Sequence, residues 1–150
     1  MTEAFKLVET WRGELTESRH RGHVVIADAQ GIRASWGDPD AIIYPRSSCK
    51  MIQALPLIES GAAAKAGLTS EHLALSCASH DGAPIHTDPV EAWLVALGLS
   101  EADLRCGPQV PADPADRFTL HDAGKSPCQL HNNCSGKHAG FLTLNKHLGG

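Results

Sequence analysis

A serine three residues ahead of a lysine, at the head of an apolar run, is the arrangement in this 150-residue chain best suited to nucleophilic chemistry. The stretch reads Arg46-Ser47-Ser48-Cys49-Lys50 and continues as Met51-Ile52-Gln53-Ala54-Leu55-Pro56-Leu57-Ile58. Residues three apart share a helix face, so a deprotonated Lys50 amine can take the Ser47 hydroxyl proton. Ser48, two residues from Lys50, points elsewhere. A helix N-terminus adds positive partial charge and free N–H groups, which disfavour a protonated lysine and can hold an oxyanion. Ser47 is thus the candidate nucleophile and Lys50 its base. The pair alone is weak, because Ser-x-x-Lys arises by chance on the order of once in every two or three chains of this length. An N-cap serine beside a solvated lysine has the same spacing.

Two other segments gather reactive side chains. Cys134-Ser135-Gly136-Lys137-His138 brings together a thiol, an amine and an imidazole directly after Asn132-Asn133. Cysteine and histidine are good zinc ligands and lysine is a poor one unless deprotonated, so one Cys and one His leave a four-ligand site incomplete. An Asn-capped helix start with an incidental thiol is the other reading. Ser79-His80-Asp81-Gly82 sets a hydroxyl, an imidazole and a carboxylate side by side, but adjacent side chains diverge too much for a triad, and a turn accounts for them. Gly136-Lys137 and Gly124-Lys125-Ser126 have His131 and Thr119 where a phosphate-binding loop needs its earlier glycine, which disfavours nucleotide binding. His20, His23, His86, His121 and His147 show no ligand spacing.

These residues need elements to hold them. Residues 5–11 mix apolar and polar positions like a strand, and His23-Val24-Val25-Ile26-Ala27, the turn Asp28-Ala29-Gln30-Gly31 and Ile32-Arg33-Ala34-Ser35-Trp36 predict a hairpin over 22–36. A helix starting at Ser47 follows, with Pro56 kinking or breaking it and Ser60-Gly61 closing it. A short helix is expected over 62–68, a fresh start at Thr69-Ser70-Glu71-His72, and a helix with Asp88 as cap, Pro89 at its first position and Gly98 at its end. Pro108, Pro111, Pro114 and Pro127 mark residues 107–127 as a surface excursion without helical or strand period. Helix propensity returns from about Ser135.

Composition narrows the function classes. A hydrophobic content of 42% can bury a core, and a length of 150 residues reads as one domain. A net charge of -4 leaves no basic stripe for nucleic acid. Apolar runs fall far short of the ~20 residues of a membrane span, and the first residues do not begin a signal peptide. Five cysteines, an odd number with no Cys-x-x-Cys, argue against a disulfide framework and for a cytoplasmic, reducing setting.

Taken together, the strand hairpin, Tyr44-Pro45-Arg46-Ser47-Ser48-Cys49-Lys50, Leu75-Ser76-Cys77-Ala78-Ser79-His80 and His131-Asn132-Asn133-Cys134-Ser135-Gly136-Lys137-His138-Ala139-Gly140 resemble, in this order, the asparaginase II family of the Rhizobium etli type. The resemblance covers essentially the whole chain. It implies an α+β fold like that of serine β-lactamases and penicillin-binding proteins, an antiparallel sheet flanked by helices. It further implies hydrolysis of L-asparagine to aspartate and ammonia through an acyl-enzyme, with Ser47 and Lys50 as the first Ser–Lys pair and Ser79 as the serine of a second. Cys134 and Lys137 match the family's zinc ligands, and Arg46, His80, Asn133 and His138 would shape the substrate pocket. A homodimer is compatible with it. Relatives are longer, so the resemblance implies that residues 1–150 are the N-terminal portion of a single domain, with the second lysine and a further cysteine ligand after Gly150.

Two rival readings stand beside it. A penicillin-recognising enzyme needs Ser-Asp-Asn and Lys-Thr-Gly elements. Ser79 is followed by His80, and the nearest match to the latter is Lys65-Ala66-Gly67. The other rival is a truncated, non-catalytic fragment that keeps at most a metal or partner surface.

Overall fold

In the computed structural model, which describes residues 3–150, strands precede helices along the chain and the fold is α+β. The described residues form two units, 3–44 and 45–150.

Within the first unit, β1 (Phe5–Arg12) pairs antiparallel with β2 (Leu15–Gly22), and β3 (Val24–Asp28) with β4 (Gly31–Trp36), as two separate two-stranded sheets. The second pair lies inside the expected hairpin. Its turn is closed by the Gln30 N–H donating to Asp28 Oδ1 at 2.9 Å and by Gly31 at φ 113°, a conformation open mainly to glycine. β2 is a strand that its sequence hides, because Leu-Thr-Glu-Ser-Arg-His-Arg-Gly has almost no apolar alternation. Its register is instead marked by polar pairs across to β1: Arg19 Nε to Glu9 Oε1 at 3.0 Å, and the Thr10 and Ser18 hydroxyls at 2.6 Å.

The second unit opens with a 3-10 turn, Arg46–Cys49, that leads into α1 (Lys50–Glu59). There follow α2 (Ala62–Lys65), α3 (Ser70–Cys77), α4 (Pro84–Ala96), α5 (Pro114–Asp122) and α6 (Ser135–His147). Three sequence expectations are corrected. Pro56 neither ends nor splits α1, since its missing N–H removes one ladder bond and the helix runs on to Glu59. α4 begins at Pro84 rather than at Asp88, because Pro84 itself occupies the first-turn position, and Pro89 is carried inside. The proline-rich stretch contains a helix, α5, capped by the Asp113 carboxylate accepting from the Ala115 N–H at 2.8 Å. No residue of α5 is buried, so no apolar period betrays it.

The core of this unit is built from Leu75 on α3, from Val90, Trp93 and Leu94 on α4, from Ala139 on α6, and from Leu104 and Leu130 in the segments between α4 and α6. Trp93 satisfies its indole N–H on Thr143 Oγ1 at 3.0 Å, and Thr143 in turn donates to the Ala139 carbonyl at 2.9 Å. The small residues Gly136, Ala139, Gly140 and Thr143 recur on one face of α6, and that face meets α3. A Cβ built on Gly136 would stand 2.5 Å from the Leu75 carbonyl oxygen, so the approach of the two helices requires glycine there. This contact sets the first turn of α6 against the end of α3.

Candidate functional site

Lys50, the first residue of α1, is 2% exposed, and its amine is turned inward. Nζ donates to the Ala78 carbonyl, to Ser79 Oγ at 2.8 Å and to the Asn133 carbonyl at 3.3 Å. Ala78 and Ser79 follow the last turn of α3, and Asn133 precedes α6. The helix contact described above therefore brings the two carbonyls and the hydroxyl to one amine. A buried amine needs such partners, because an unpaired charge or donor there is costly.

Ser47 lies one 3-10 turn before Lys50, is exposed, and has no hydroxyl hydrogen bond among the described residues. The structure thus joins Lys50 to Ser79 rather than to Ser47. Ser48 turns away, as its distance from Lys50 predicts, and donates to the Pro45 carbonyl. Arg46 stands at φ 49°, in the left-handed region that a long side chain rarely adopts. Strain of this kind persists only where the surroundings hold it, and it clusters at functional sites.

Arg46, Ser47, Lys50, Gln53, Asn133, Cys134 and Lys137 line one open cleft of about 370 Å³. It holds three basic side chains and no carboxylate. Gln53 was not singled out by sequence, although it lies three residues beyond Lys50 on α1, a spacing that shares a face. Gln109 was also missed. Its Oε1 accepts from the Asn133 N–H at 3.2 Å, and nothing in the proline-rich sequence around it signals this. Asn132 anchors the same loop: its amide nitrogen donates to the Cys106 and Gly107 carbonyls at 2.9 and 3.0 Å, and its oxygen accepts from the Cys134 N–H at 2.9 Å.

Two of the expected pocket residues lie apart from this cleft. His80 is 6% exposed, and both ring nitrogens are used internally: Nδ1 accepts from the Gly82 N–H at 3.2 Å and Nε2 meets Ser135 Oγ at 2.9 Å. Burial, reinforced by His86 and Lys50, lowers its pKa to about 4. His138 is tilted against Phe141 with ring centroids 6.0 Å apart, and burial, with Lys137 and Lys50 adding to it, lowers its pKa too.

Cys134 and Lys137 fit part of a metal site. They lie three residues apart at the start of α6, both line the cleft, and neither Cys134 Sγ nor Lys137 Nζ has a hydrogen-bond partner among the described residues. Lys137 Nζ rests 5.7 Å from the centre of the Phe141 ring. Among the described residues no group of three His, Cys, Asp or Glu side chains surrounds them. A thiol and an amine are two of the four ligands that a zinc site would need.

A family model described as L-asparaginase II matches residues 8–150. Comparison with the curated proteins gives no match.

Proposed function

The chain belongs to the L-asparaginase II family, and on that premise we propose that it hydrolyses the side-chain amide of L-asparagine to L-aspartate and ammonia. Lys50 is the general base of this reading. A neutral amine has two N–H bonds and one lone pair. With the Ala78 and Asn133 carbonyls accepting the N–H bonds, loss of the third proton leaves the lone pair toward Ser79 Oγ, 2.8 Å away, and the contact in which Nζ donates reverses so that the hydroxyl donates to the amine. That contact is the observation that carries the reading.

The steps follow from it. The Ser79 proton passes to Nζ as Oγ bonds the amide carbon. Collapse of the tetrahedral adduct returns that proton to the leaving nitrogen, breaks the C–N bond and leaves ammonia beside an acyl-serine. Water then attacks the ester with Nζ taking its proton, the bond to Oγ breaks as that proton passes from Nζ to Oγ, and aspartate is released. Arg46 and Asn133 border the cleft and are suited to the substrate's carboxylate and amide. Ser47 as nucleophile is the second reading, favoured by its free hydroxyl in the cleft and the strained Arg46 before it. Lys50 would then turn from Ser79 to Ser47.

Cys134 and Lys137 would hold zinc within the same proposal, and bound zinc would supply positive charge that orients the substrate. Elemental analysis of protein purified without chelator is expected to find zinc, and Cys134→Ser to lose most of it. A zinc-free parent with full turnover would count against the metal. A serine β-lactamase-like arrangement, a cytoplasmic setting and a homodimer are carried here on the resemblance. No helix among the described residues is long and apolar enough to cross a membrane.

Ammonia release and mass spectrometry of the acylated protein test the reading together. Ser79→Ala is expected to cut turnover by on the order of 10³-fold or more, and Ser48→Ala to stay within about 3-fold of the parent, since removing an exposed hydroxyl bond costs little. An adduct on Ser47 would select the second reading. An adduct on neither serine, with Ser79→Ala and Ser47→Ala both active, would remove serine chemistry altogether.

A further inference from the structure

The His80 ring lies outside the cleft, yet His80 connects the two segments that hold Lys50. Its backbone N–H donates at 3.3 Å to the Asn133 carbonyl, the same oxygen that accepts from Lys50 Nζ. Its neighbour Ser79 provides the hydroxyl at that amine. The ring adds a second tie. Because Nδ1 accepts the Gly82 N–H, a neutral ring carries its proton on Nε2 and donates it to Ser135 Oγ, which is 0% exposed in the first turn of α6. His86 stacks on the ring with centroids 5.0 Å apart and planes at 15°. Burial keeps the ring neutral at pH 7, with its pKa at about 4.

We propose that His80 is a positioning residue that, through Nε2–H and Ser135, fastens the Ser79 segment to the start of α6 and so fixes both the hydroxyl and the Asn133 carbonyl around Lys50. It does not bind the substrate. The inference rests on Lys50 acting as general base. Misplacement by about 1 Å at such a site can cost on the order of 100-fold in rate.

The test compares His80→Asn, His80→Gln, Ser135→Ala and the double variant His80→Asn/Ser135→Ala. A Gln amide nitrogen reaches where Nε2 stood, whereas Asn is too short. His80→Asn and Ser135→Ala are expected to lower kcat by roughly 10-fold to 100-fold with KM within about 2-fold. The double variant should be no worse than either, as for two residues acting through one bond. His80→Gln should recover most of the rate. A raised KM at unchanged kcat would make His80 a substrate ligand and overturn the inference, as would independent, multiplying losses or a failure of Gln to rescue. Nitrogen-15 spectra provide a readout that needs no turnover. The His80 ring is expected as the Nε2-protonated tautomer, and the Lys50 Nζ signal is expected to shift in Ser135→Ala. A parent that releases no ammonia would sink the proposed function while leaving these signals to decide on His80. An Nδ1-protonated ring or an unmoved Lys50 signal would overturn the positioning role.

Discussion

His80 also makes stability depend on pH, with a definite sign. Its pKa falls from an ordinary value of 6.5 to about 4 in the folded chain, so as pH drops the unfolded state takes the proton first. The contribution is complete above about pH 6.5 and is lost progressively down to about pH 4; a shift of this size corresponds to on the order of 3 kcal/mol at most. His138 adds a term of the same sign. The groups facing His80 are His86, Lys50, Asp81 and His131, of which Asp81 alone opposes the shift. Urea midpoints measured between pH 7 and pH 4 should therefore fall in the parent and fall less steeply in His80→Gln, and parallel curves would contradict this. At this scale sequence showed only what is local. Ser47 and Lys50 share a segment, and so do Cys134 and Lys137, and their spacings could be read directly. The Lys50 contact with Ser79 could not, because it depends on where the end of α3 docks. The neutral, inward-turned state of His80 depends on burial, which no motif encodes.

The meeting of α3 and α6 is the element on which the site depends. Gly136→Ala would place a Cβ 2.5 Å from the Leu75 carbonyl oxygen and 2.8 Å from its carbon, both backbone atoms that cannot rotate aside. Overpacking of this kind costs about 1–3 kcal/mol or more, which outweighs the roughly 1 kcal/mol that alanine gains over glycine in a helix. A thermal midpoint several degrees below the parent is expected, and an unchanged midpoint would refute the close approach. Helices with an apolar face or a clear glycine stop were legible in the sequence: α2, α3 and α6 lie where turn residues and propensity suggested, whereas α1, expected from Ser47, begins at Lys50 behind a 3-10 turn. α5 was not, since a helix with no buried residue has no period to display, and its Asp113-Pro114 start was lost among neighbouring prolines. β2 escaped for a related reason, being held by hydroxyl and ion pairs across to β1 rather than by alternating apolar residues.

Across the whole molecule the two units should differ in local stability. Two-stranded sheets are marginal by themselves, and Trp11, Leu15 and Ile26 are 57%, 76% and 53% exposed. The amides of β1 to β4 are thus expected to exchange with deuterium well before those of α4 and α6 around Trp93. Equal protection across both units, read by mass spectrometry, would contradict this. The burial of Lys50 has a consequence in time as well as in space. Its acceptors lie 28, 29 and 83 residues further along the chain, so no local fluctuation of residues 46–59 can supply them. Until residue 133 has left the ribosome and the helices have closed, Lys50 lacks the full set of partners that holds its amine beside Ser79. On the proposed reading, reactivity is licensed by completed folding, and a nascent or half-unfolded chain carries no activated serine to turn on the amides around it.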